Sequence, residues 1–141
     1  MSRKLNRTQH SVYCLTYHLV LVTKYRRKVI TQEIFDELMR IFKKIAINYN
    51  INMQEANWDC DHVHVLFEAA PNTLLVRFIN SYKSASSRII KRKFPEIKDD
   101  LWKSAFWKTG YFLTTTGGAN IETIQKYIRR QRKKWQLLIK D

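Results

Sequence analysis

Acidic residues are scarce in this 141-residue chain. Twelve Asp and Glu stand against 26 Lys and Arg, giving a formal charge of +14 and a pI of about 10.0. A compact domain with that imbalance repels itself unless a polyanion relieves it, and nucleic acid is the partner that fits. Cysteine is scarce too: Cys14 and Cys60 are too few for a disulfide framework and suit a reducing compartment. No apolar run approaches the ~20 residues needed to cross a bilayer. Nor is any helix both strongly basic and apolar-faced without also being needed for a core, which argues against a membrane partner. The opening Met1-Ser2-Arg3-Lys4-Leu5-Asn6 lacks the apolar segment of a signal peptide. The expected location is cytoplasmic, nucleoid-associated when on DNA. A hydrophobic content of 45 % suffices for a real core, so the chain is not a disordered basic tail, and its length suggests a single domain over 1–141. Four Trp, seven Tyr and seven Phe offer stacking surfaces suited to single-stranded nucleic acid, although aromatic residues are more often core.

Residues 1–10 read as a mobile basic arm. Val12 to Val22 is rich in β-branched and aromatic residues and predicts a long buried strand. Lys24-Tyr25-Arg26-Arg27-Lys28 is a basic loop, with Lys24, Arg26 and Arg27 as candidate phosphate contacts. Thr31 suits an N-cap, with Glu33 in the first turn, for a helix to about Asn50. Ile51–Trp58 predicts a second strand, Asp59-Cys60-Asp61 a turn, and His62–Ala69 a third strand. A second helix over 73–93 buries Leu75, Phe78, Tyr82, Ala85 and Ile89. Its other side mixes cations and hydroxyls, including Lys83, Ser84, Ser87 and Arg88, with no acid between Thr73 and Phe94; faces that are merely solvated usually carry both signs. Pro95 ends that helix. A fourth strand covers about 110–116, and Gly117-Gly118 forms a joint able to adopt positive φ. Asn120 caps a last helix, 119–141. The order βαββαβ predicts an α+β, ferredoxin-like antiparallel sheet with two helices on one face and an added C-terminal helix.

His62-Val63-His64 lies inside the third strand. Side chains alternate along a strand, so Val63, Val65 and Phe67 can face the core while His62 and His64 share the opposite, open face, where both can reach one metal ion or one anion. In the last helix Ile121, Ile124, Ile128, Gln131, Trp135 and Leu138 fall at spacings of 3, 4, 3, 4 and 3, one helical stripe. Gln131 interrupts it, and Tyr127 lies four residues before Gln131, beside it on the helix surface. Cations including Arg130 surround the pair, a field that holds phosphate and favours phenolate. A divalent ion on His62 and His64 would polarise a phosphodiester for in-line attack by a tyrosine. Two histidines hold a hard ion weakly, so Gln131 or a carboxylate would add an oxygen.

These residues resemble a known family. His62-Val63-His64 is a His-hydrophobe-His (HUH) motif. Together with Tyr127 and Gln131 in a Tyr-x-x-x-Gln spacing, Tyr17-His18-Leu19-Val20, Thr23-Lys24-Tyr25-Arg26-Arg27 and Gly110-Tyr111, it resembles the single-tyrosine HUH transposases of bacterial insertion sequences that move as single-stranded DNA. The resemblance runs in order from about Val12 to Trp135. It implies Mg²⁺ or Mn²⁺ held by His62, His64 and Gln131, attack on DNA by Tyr127 with retention of the 5′-phosphate, and recognition of hairpins near the element ends without a nucleotide cofactor such as ATP. It also implies a homodimer with joined sheets, in which Gly117 and Gly118 are the hinge that lets the tyrosine helix complete the partner's site.

Rival readings are of different kinds. A replication initiator or relaxase shares the motif, but the small size and lack of a second domain argue against it. A non-catalytic single-stranded nucleic-acid-binding module on the same sheet would call for exposed aromatics where the histidines stand. Zinc on Cys60, His62 and His64 is disfavoured because Cys60 falls in the turn and no second Cys/His group is near; Cys60 reads instead as a buried thiol. His18 reads as structural. Asp61 reads as a turn residue or as a partner orienting the histidines, and Asp59 as a turn residue.

Overall fold

The computed structural model describes residues 6–7, 12–13, 15–97 and 105–115. Two short strands come first, β1 (Asn6–Arg7) and β2 (Val12–Tyr13), paired antiparallel with each other. A four-stranded sheet follows, built from β3 (Thr16–Val22), β4 (Asn52–Asp59), β5 (His62–Glu68) and β6 (Phe112–Thr115). Its order is β4-β5-β3-β6 with every neighbour antiparallel. Helix α1 (Gln32–Ala46) joins β3 to β4, and α2 (Leu75–Lys93) joins β5 to β6. This is the expected ferredoxin-like arrangement. The single long strand expected from Val12 to Val22 is instead two pieces. Thr16 pairs with Glu68, the last residue of β5. Among the described residues the sheet ladder ends there, and Val12–Tyr13 pairs with part of the basic arm.

Local chemistry sets the boundaries. The Thr31 side chain accepts from the Ile34 N–H at 3.3 Å, capping α1. That helix tightens into a 3₁₀ turn at Ile47–Tyr49 and stops at Asn50, in the left-handed region with φ 54°, a conformation Asn tolerates. The α1–β4–β5 path then needs only the Cys60-Asp61 turn between its two strands. Leu19, Leu21, Val63, Val65 and Phe67 lie on the helix side of the sheet and are buried. Over them Phe42, Phe78 and Tyr82 meet edge to face, with ring centroids 5.1 and 5.2 Å apart from Phe42. The Tyr82 hydroxyl donates to the Leu38 carbonyl at 2.9 Å and ties α2 to α1; burial pushes its pKa far up.

Helix α2 is rotated relative to the sequence expectation. Its fully buried line is Phe78, Ile79, Tyr82, Ser86 and Ile90, while Ala85 and Ile89 are only half-buried. The cause is the segment around Phe106 and Trp107, which packs onto α2 and offers Ser86 a partner. The Trp107 indole N–H donates to Ser86 Oγ at 2.9 Å, and Ser86 Oγ–H donates to the Tyr82 carbonyl at 2.6 Å. Among the described residues no helix is long and apolar enough to cross a membrane.

Candidate functional site

The two histidines of β5 are brought together as expected. Their rings stack, with centroids 5.7 Å apart and planes at 23°. Register sets their company. Val22 lies opposite His62, Val20 opposite His64, and His18 opposite Leu66, and directly opposed residues share a face. This face is not open at the histidine row: His62 is 9 % exposed, Leu66 5 %, Val22 5 % and His18 2 %. Leu66 brings apolar bulk to it from β5 itself, and Val22 adds more that only the β3–β5 register reveals.

His18, which the sequence reads as structural, joins this row. It sits 5.6 Å from His64, ring to ring, and extends the pair to a row of three imidazoles. Both its ring nitrogens are buried without a hydrogen-bond partner among the described residues. Burial, and then the neighbouring His64, lower its pKa to about 4, so it is neutral at pH 7. Its spacing from Val20 carries the same period-two signal as His62 and His64, but only the β3–β5 register puts it beside them.

Asp61 stands at the head of β5 with its two carboxylate oxygens divided. Oδ1 accepts from His62 Nδ1 at 2.7 Å, and Oδ2 faces Arg26, 3.2 Å from Nε and 3.1 Å from Nη2. A ring nitrogen against a carboxylate carries the proton, so in the neutral ring the lone pair is on Nε2. That atom is buried and has no hydrogen-bond partner among the described residues. A ring nitrogen so placed, with a carboxylate behind the ring, is one that could hold a metal ion.

The loop after β3 is built to hold this arrangement. Thr23 is fully buried. Its N–H donates to the Asp61 carbonyl at 2.9 Å, its carbonyl accepts from the Arg26 N–H at 2.9 Å, and its hydroxyl donates to the Arg27 carbonyl at 2.8 Å. Thr23 also bridges Trp107, and the Lys24 N–H donates to the Phe106 carbonyl at 3.0 Å. Tyr25 and Arg26 take positive φ, 57° and 52°, a conformation that L-residues adopt at a cost. Tyr25 is 57 % exposed. Lys24 and Arg27 each lie 5.6 Å from its ring centroid. Of the three loop cations read as phosphate contacts, Arg26 is thus engaged with Asp61.

Cys60 is half-buried in the turn rather than a buried thiol. Desolvation and then the charges of Asp61 and Asp59 raise its pKa, so it is a poorer thiolate ligand. A zinc site gains nothing here, since among the described residues no group of three His, Cys, Asp or Glu could hold a metal. Any third ligand must come from another residue type or from outside the described residues, where Tyr127, Gln131, Arg130, Gly117 and Gly118 lie.

A second basic feature flanks α2. An open groove of about 670 Å³ runs between α2 and residues 105–109, lined by Lys83, Ser84, Ser87, Arg88, Lys91 and Lys108 among others, with no acid among the described residues of its walls. Arg88 is exposed. Lys83 is less free, because its ammonium donates to the carbonyls of Lys108 and Gly110, each at 2.8 Å, and burial lowers its pKa.

Comparison with known proteins decides the family. Residues 11–131 match the model of the IS200-like transposases. The chain is 34 % identical over 123 residues to the ISDra2 transposase TnpA of Deinococcus radiodurans, covering 87 % of this chain and 88 % of that protein. The chain belongs to the IS200-like transposase family. Relatives of this transposase include the IS200 transposase of Salmonella typhimurium, 31 % identical over 86 % of this chain and 80 % of that protein. A solved structure of a candidate transposase from Deinococcus radiodurans R1 is 32 % identical and superposes with a TM-score of 0.72 over 89 % of this chain and 97 % of that one. A REP-associated tyrosine transposase bound to a REP hairpin shares the fold at a TM-score of 0.57 and 10 % identity, over 92 % of this chain and 76 % of that one.

Proposed function

We propose that this transposase cleaves and rejoins single-stranded DNA at the ends of an insertion sequence, recognising hairpins there and working as a homodimer with shared sites. The Tyr127 oxygen attacks the scissile phosphorus, the 3′-oxygen of the preceding nucleotide leaves as a hydroxyl, and the 5′-phosphate stays on the tyrosine until a second 3′-hydroxyl reverses the step. His62, through Nε2, and His64 hold Mg²⁺ or Mn²⁺, with Gln131 adding an oxygen. When bound, the ion supplies Lewis-acid polarisation of a non-bridging phosphate oxygen. Lys24, Arg27, Lys83, Arg88 and Arg130 hold the DNA backbone, and Gly117-Gly118 is the hinge on which the tyrosine helix reaches the site.

One observation carries the reading: a buried, unpartnered His62 Nε2, with Nδ1 held by Asp61, beside a second strand histidine. A nitrogen so placed is costly unless something binds it. The test is a denaturing gel of the protein incubated with a single-stranded hairpin oligonucleotide and Mn²⁺. A covalent protein–DNA adduct is expected from the wild type and not from Tyr127→Phe. An adduct that persists in Tyr127→Phe refutes the nucleophile. Cleavage that persists in His64→Ala places the metal elsewhere, and binding without any adduct favours a non-catalytic module.

A further inference from the structure

We propose that Arg26 is a positioning residue for the metal site, acting through Asp61 to fix the ring and tautomer of His62, rather than a DNA-backbone contact. The inference rests on the metal reading above and deepens it. Arg26 approaches one carboxylate oxygen with two of its nitrogens, Nε at 3.2 Å and Nη2 at 3.1 Å, while the other oxygen of the same carboxylate takes His62 Nδ1 at 2.7 Å. Asp61 and His62 have side chains only 10 % and 11 % exposed. In that setting a carboxylate with one oxygen unanchored could swing about its χ2 and release the ring. Occupying Oδ2 leaves Oδ1 for Nδ1 alone, and the ring is then committed to presenting Nε2 forward.

The backbone points the same way. Two consecutive non-glycine residues at positive φ are uncommon, and such strain persists only where the surroundings enforce it. Here buried Thr23 enforces it: its carbonyl holds the Arg26 N–H and its own N–H holds the Asp61 carbonyl. The same residue thus fixes Arg26 and Asp61 relative to each other. An arginine meant only for phosphate would need neither the strained turn nor the carboxylate. Lys24 and Arg27, from the same loop, lie by the exposed Tyr25 ring instead.

The experiment uses the full chain as wild type, Arg26→Gln and Arg26→Lys, with circular dichroism confirming the fold. The His62 tautomer is read in metal-free protein from long-range ¹H–¹⁵N couplings, Mn²⁺ affinity from titration calorimetry, and DNA affinity in EDTA with a mixed-sequence single-stranded oligonucleotide at several salt concentrations. Wild type is expected to show His62 protonated at Nδ1. Arg26→Gln should mix the two tautomers and weaken Mn²⁺ about 10-fold, the lower range for loss of a group behind a metal ligand, with DNA affinity in EDTA within about 3-fold; Arg26→Lys, which keeps the charge but not the two-nitrogen fork, should recover only part of the Mn²⁺ affinity. The proposal is overturned if Arg26→Gln leaves tautomer and Mn²⁺ affinity unchanged while the salt slope of DNA binding falls by about 0.7, as loss of one phosphate contact on a single strand predicts. If wild-type Mn²⁺ binding does not depend on His62, as His62→Ala would reveal, the metal reading fails instead, and the tautomer alone then decides the role of Arg26.

Discussion

Replacing Ser86 by Ala removes one oxygen from the heart of α2, and the structure gives its cost. Ser86 is fully buried and Trp107 only 3 % exposed. The hydroxyl accepts the indole N–H at 2.9 Å and donates to the Tyr82 carbonyl at 2.6 Å. Without it the indole donor stays buried and unpaired, a loss of about 1–3 kcal/mol. Alanine returns about 0.5 kcal/mol of helix propensity. The net expectation is a destabilisation of about 1–2 kcal/mol, or a urea midpoint lowered by roughly 0.5–1 M at an m-value of about 2 kcal/mol/M. Far-ultraviolet circular dichroism in urea measures it without relying on tryptophan emission. The decisive arm is a double-mutant cycle with Trp107→Phe, whose ring brings no donor. Ser86→Ala should cost less in that background, with a coupling of about 1 kcal/mol. A wild-type midpoint in Ser86→Ala, or a coupling below about 0.3 kcal/mol, refutes the idea that this bond fastens the 105–110 segment to α2. The segment matters to the site because Trp107 bridges Thr23, and Thr23 holds Asp61.

Other expectations follow from single contacts. In metal-free protein, folded His18 titrates near 4 and unfolded His18 near 6.5, so the unfolded chain takes up the proton first as pH falls. The stability associated with the shift is complete above pH 6.5 and lost as pH drops from 6.5 to about 4, roughly 3 kcal/mol in all; urea titrations at pH 7 and pH 5 should differ less in His18→Phe, and equal differences refute the assignment. Lys83→Met should destabilise the fold by about 1–2 kcal/mol, because the ammonium pins two carbonyls while its desolvation offsets part of that gain. Arg88→Gln, exposed in the same groove, should leave stability within about 0.5 kcal/mol and lower the salt slope of single-stranded DNA binding by about 0.7; no change in that slope removes Arg88 from the DNA surface. Tyr82→Phe should cost about 1 kcal/mol in a guanidinium melt, for its one bond to Leu38.

The sequence by itself determined the order of the elements, because hydrophobic period is local. Alternation along His62–Glu68 and the helical stripe of Ile34, Leu38, Ile41 and Phe42 need no knowledge of what lies opposite, and both appear in the fold. The histidine pair was legible for the same reason: two residues apart in one strand means one face. Tertiary structure decided everything that depends on register and on who sits across. It placed His18 against His64, a relation set by β3 pairing with β5 across more than forty residues of chain. It gave Arg26, which the sequence reads as a phosphate contact, to Asp61, which the sequence reads as a turn residue or as a partner orienting the histidines. It turned α2 so that Ser86, not Ala85, faces inward, because the buried indole of Trp107 needs an acceptor and a neighbouring helix oxygen is the atom within reach. Charge and period are properties of the chain alone, whereas the partner of a buried polar atom is fixed only when the core closes around it.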